Sequence, residues 1–142
     1  MRTVGVYAPD TVDDAQEQYE SLGSTAQIVV KETAKAMELS NAAYEERVTS
    51  DVIETARDAL FASLLEVTHG SREAFESWCE DHPDTTVERV GSDNVSSVVW
   101  HRCPFAATVV AATYQDEPEA AAATVRRRAF GEIYAPQFRA DA

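Results

Sequence analysis

The run TTVERVGSDNVSSVVWHRCPFAATVVAATY, residues 85–114, is rich in valine and threonine, unlike anything before it. Side chains branched at Cβ favour extended backbone, where they pack on a pleated surface. Three segments stand out within it: TTVERV (85–90), VSSVVWHR (95–102) and ATVVAATY (107–114). Gly91-Ser92-Asp93-Asn94 separates the first two and Cys103-Pro104-Phe105 the last two. Both separators carry turn-forming residues. Short strands joined by short turns read as a small antiparallel β-meander.

Outward from that run the pattern turns helical. Val12, Ala15, Tyr19 and Leu22 repeat at helical spacing behind Thr11, a good N-cap, and ahead of Gly23. Ser24 opens a second candidate helix with Ala26, Val29 or Val30, Thr33 and Met37 inward, and residues 40–48 form a short polar one. DVIETARDALFASLLEV (51–67) has the widest apolar stripe, and Gly70 is the expected stop. Ser71 caps REAFESWCEDH, which ends at His82 before Pro83. Near the N-terminus TVGVY (3–7) reads as a short strand. Beyond the meander, Asp116, with Pro118 and Glu119 behind it, starts a final helix with Ala122, Val125, Ala129 and Ile133 inward. The expected architecture is α+β: four N-terminal helices, a small antiparallel β-meander and a C-terminal helix. A single domain over 1–142 is expected, with its helical part at about 11–82, the meander at about 85–114 and the last helix at about 117–134.

Charge is the most informative number. The 142 residues hold 25 Asp and Glu against 12 Lys and Arg, a formal net charge of −13, and only Lys31 and Lys35 are lysines. At molar salt the Debye length falls to about 3 Å and such self-repulsion is screened. Short hydrated carboxylates in place of lysine suit a halophilic cytosol. No apolar run is long enough to span a membrane, and no signal-peptide pattern opens the chain, so a cytoplasmic location is expected.

The five His and Cys residues all fall between 69 and 103. Cys79 and His82 lie three apart on a helix end, and His101 and Cys103 two apart on a strand, so each pair shares a face of its own element. If the two elements met, these four residues would form a Cys2His2 zinc set. A Cys103 nucleophile served by His101 is a second reading, and ordinary structural roles are the third: cysteine packs as a small hydrophobe, and histidine suits helix ends. No Gly-rich phosphate loop, nucleophile elbow or HExxH motif is present, so no catalytic residue is assigned.

Arg126–Arg128 is the sole basic cluster, a candidate RNA or anion site. Successive helical residues point about 100° apart, so the three cannot form one flat patch. The last helix also has a second apolar side, Ala123, Phe130 and Tyr134, that suits a protein partner or a homodimer unless the N-terminal helices cover it.

VGVYAPDTVDDAQEQYESLG, TARDALFASLLEV, VVWHRCPF and ATYQDEPEAAAATVRRRAFG together resemble small uncharacterised proteins of haloarchaea, a domain family of unknown function. The resemblance spans nearly the whole chain. It implies salt adaptation and carries no activity, ligand or catalytic residue. The functional expectation is a non-catalytic domain for protein–protein or self-association, with structural zinc and RNA or anion binding as alternatives.

Overall fold

A computed structural model describes residues 1–139. It is an α+β fold built on one five-stranded sheet. In chain order the elements are β1 (Arg2–Val4), α1 (Val12–Glu20), α2 (Gly23–Ala36), α3 (Asn41–Arg47), α4 (Ser50–Ser63), β2 (Val67–Ser71), α5 (Arg72–Asp81), β3 (Thr86–Val90), β4 (Ser97–Cys103), β5 (Thr108–Tyr114), α6 (Pro118–Ala129) and α7 (Ala135–Phe138). A π-turn, Phe130–Tyr134, joins the last two helices. No helix among the described residues is long and apolar enough to cross a membrane.

Local chemistry sets three of the helix starts. The Thr11, Ser40 and Ser71 side chains each accept a hydrogen bond from the backbone N–H three residues on, satisfying a donor that the helix leaves open. The α4 helix is shorter than its stripe predicts. It closes at Leu64, and the chain then alternates as a strand, with Val67 and His69 buried and Thr68 and Gly70 half-buried. Gly70 is therefore not a helix stop. It lets a tryptophan cross β2: a Cβ there would lie 3.1 Å from the Trp100 ring. His69 sits on β2 rather than in a last helical turn.

The meander expectation is overturned at β3. The sheet order is β1-β2-β4-β5-β3, so β3 pairs in parallel with β5 and never touches β4 as a neighbour. Burial explains the order. Val98–His101 and Val109–Ala112 are buried on both faces, which demands central positions. TVERV carries Glu88 and Arg89 and suits an edge. The chain leaves β3 at Gly91, in the left-handed region at φ +103°, where a side chain would also run into Thr113.

The two faces of the sheet are covered unequally. Helix α6 lies on β2, β4 and β5 and against α4, which in turn carries α1 and α2. Among the described residues the opposite face carries α5, over β2 and β4.

Candidate functional site

The helical face holds a buried polar chain. Strand β4 points Val99, His101 and Cys103 to that side. The final helix approaches with Ala122, Val125 and Ala129 inward, as its stripe predicts, but the next inward residue is Tyr134 rather than Ile133. The π-turn adds one residue to the turn and so aligns position 134 with 129. Gly131 weakens the α geometry there, and Pro136 has no N–H to bond the Glu132 carbonyl.

Hydrogen-bond direction follows from the partners. The Glu66 carbonyl only accepts, so His101 Nδ1–H donates to it at 2.7 Å. In the neutral ring Nε2 then accepts from the Tyr134 hydroxyl, also at 2.7 Å. The Cys103 thiol lies beside that hydroxyl. Burial holds the His101 pKa down to about 4 and pushes Tyr134 and Cys103 up. All three groups stay uncharged near neutral pH, which suits a structural network. A cysteine nucleophile needs the reverse, a stabilised thiolate open to substrate.

Cys79 and His82 lie across the sheet from this chain. Cys79 packs with Phe75, Val98, Trp100, Val109 and Ala111 on the α5 face, and burial raises its thiol pKa. His82 stacks on Trp78, with ring centroids 4.1 Å apart, and donates from Nδ1 to the Trp78 carbonyl at 2.7 Å. The sheet thus stands between Cys79 with His82 and His101 with Cys103. Among the described residues no three His, Cys, Asp or Glu side chains converge as a metal site. The fifth residue of the group, His69, sits 3.1 Å from the Tyr114 hydroxyl, and its pKa is lowered by burial and then by Arg2 and Arg126.

The three arginines diverge. Arg126 donates to the Leu65 carbonyl at 2.8 Å and the Val4 carbonyl at 3.0 Å, tying α6 to the strands beneath it. Arg128 pairs with Glu132 at 3.1 Å, and Arg127 borders a groove between α4 and α6. The second apolar side of the last helix is covered only in part within the chain, and Ala123 stays exposed. Ala123 and Phe130 line that groove opposite Ala59 and Ala62, and Tyr134 is wholly buried against Phe61.

Two further surfaces stand out among the described residues. One is the outer stripe of α2. With Ala26, Val30 and Ala34 buried against α4, the helix turns Ile28, Lys31, Glu32 and Lys35 outward at spacings of three, one and three. Ile28 is 60% exposed and its neighbour Val29 40%. Both lysines of the chain lie on this stripe. That coincidence was visible in the sequence, masked by the β-branched QIVV run beside it. The other is a cleft of about 460 Å³ on the α5 face, walled by Trp78 and Trp100 and bordered by Thr3, Thr68, Asp10 and Arg102. Its residues come from four separate stretches of chain, so no local signal could have assembled it.

A family model described as a family of unknown function (DUF5809) matches residues 6–135. No curated protein and no solved structure matches the chain.

Proposed function

The chain belongs to this family of unknown function (DUF5809), and from that footing we propose a non-catalytic, salt-adapted cytoplasmic domain of haloarchaeal type that pairs with a second copy of itself through α2. The observation that carries this reading is the self-complementary outer stripe Ile28–Lys31–Glu32–Lys35. Two such helices laid antiparallel about a two-fold axis between positions 31 and 32 set Lys31 against the partner's Glu32. The same axis sets Ile28 against the aliphatic stem of the partner's Lys35. A two-fold interface requires this reciprocity: whatever residue i meets, its partner meets in return. Lys35 already sits 3.3 Å from Glu32 within the chain, but both side chains are over 60% exposed, and such a pair contributes little by itself. In molar salt the repulsion between two acidic copies is confined to about 3 Å, so close contacts decide association.

Size-exclusion chromatography with light scattering in molar KCl tests it. The wild type is expected as a dimer. Lys31→Glu, which sets carboxylate against carboxylate, is expected to weaken it about tenfold or more, since like charges across an interface cost several kcal/mol. The double change Lys31→Glu with Glu32→Lys restores the pairing and the dimer. A wild type that stays monomeric at high concentration overturns self-association. A dimer indifferent to Lys31→Glu moves it off α2.

A further inference from the structure

The cleft on the α5 face carries chemistry that the pairing of α2 does not use. Register sets Thr3, Thr68 and Trp100 in one row across β1, β2 and β4, so two hydroxyls and an indole share a floor. Trp78 forms a second apolar wall, backed by the His82 ring on one face. Phe75 supports Trp100 with ring centroids 5.1 Å apart. These contacts pre-order the indoles, which lowers the entropy lost when a flat ligand settles on them.

At the rim, Arg102 reaches Asp10 at 3.4 Å, with the two side chains 52% and 71% exposed. An ion pair that long and that wet contributes at most about 1 kcal/mol and is weakened further by salt. Its guanidinium is therefore available to a better carboxylate, which it can grip through two parallel N–H groups. The volume of about 460 Å³ lies within the range of small-molecule sites.

We propose that this cleft binds a small aromatic carboxylate, with its ring on Trp78 and against the small exposed part of the otherwise buried Trp100, and its carboxylate on Arg102 in place of Asp10. The chain has only these two tryptophans, so their two indole N–H resonances in a nitrogen-15 spectrum report on the cleft alone. Benzoate is the probe, with benzyl alcohol supplying the ring without the charge and acetate the charge without the ring. Saturable movement of both resonances is expected with benzoate, at an affinity about tenfold or more above either control. Arg102→Gln should erase the preference for benzoate over benzyl alcohol, while Asp10→Asn, which removes the competing carboxylate, should strengthen benzoate binding severalfold. Both positions are exposed, and a dispersed spectrum of each variant verifies its fold. Indole resonances that do not move, equal affinity for benzoate and benzyl alcohol, or a preference that survives Arg102→Gln would each overturn the proposal.

Discussion

On the helical face of the sheet, Phe61 sits fully buried among the rings of Tyr7, Tyr19, Phe130, Tyr134 and Phe138. On the α5 face, Phe75 is nearly as buried but touches fewer rings, Trp78 and Trp100, and a cleft opens beyond those two. One face is closed by two layers of helix and even takes a histidine, a tyrosine and a cysteine into its interior, because each finds a neutral hydrogen-bonding neighbour there. The other is covered by a single ten-residue helix, so part of the sheet keeps contact with solvent. The contrast teaches where ligand chemistry can reside. A satisfied interior stabilises and is inaccessible, whereas an incompletely covered face leaves polar and apolar groups together at the surface.

Truncation should separate the faces most strongly. Phe61→Ala is expected to cost about 3–5 kcal/mol, because the surrounding rings cannot collapse into the space. Phe75→Ala should cost clearly less, since the open cleft lets the neighbourhood relax. Urea unfolding of the two variants measures both, and equal losses would erase the distinction between the faces.

Acid offers a second, smaller separation. The folded pKa of His101, about 4, lies below its ordinary value of 6.5, so the folded ring binds fewer protons than the unfolded one between those limits. Its contribution is fully present above pH 6.5 and is lost as pH falls toward 4. The gap is worth about 3 kcal/mol. Carboxylates titrate over part of the same window, so the readout is a difference. Wild type should lose about that much more stability than His101→Gln on going from pH 6.5 to 4. Parallel curves would show that the buried imidazole does not govern this window.

The smallest effect is kinetic and requires no substitution. Both cysteines are free, Cys79 half-buried on the α5 face and Cys103 buried on the other. An aromatic disulfide reagent should label Cys79 in the native protein and reach Cys103 only as the chain unfolds. Equal labelling rates under native conditions would contradict the closed character of the helical face.

Much of the architecture was legible along the chain, because capping residues and apolar spacing act over three or four positions. Thr11, Ser40 and Ser71 start helices where their side chains can reach the next free N–H, and the inward stripe of α6 runs through Ala122, Val125 and Ala129 as its spacing requires. The acidity and the scarcity of lysine are likewise properties of composition. The same local logic also anticipated that Arg126, Arg127 and Arg128 would point apart.

Tertiary structure decided the rest. Whether Val67–Ser71 continued a helix or became a strand depended on β1 and β4 being present to pair with it. The place of β3 depended on competition for the centre of the sheet, which the more apolar β5 won. Tyr134 turned inward through a one-residue π-turn that spacing alone does not reveal. The alternation of β4 shows that His101 and Trp100 must face opposite ways, but only packing determines that one meets Tyr134 and the other α5. For that reason Cys79 and His82 lie away from His101 and Cys103, and two tryptophans distant in sequence share one cleft. Local sequence encodes backbone preference and the facing of side chains, and long-range burial selects which faces meet.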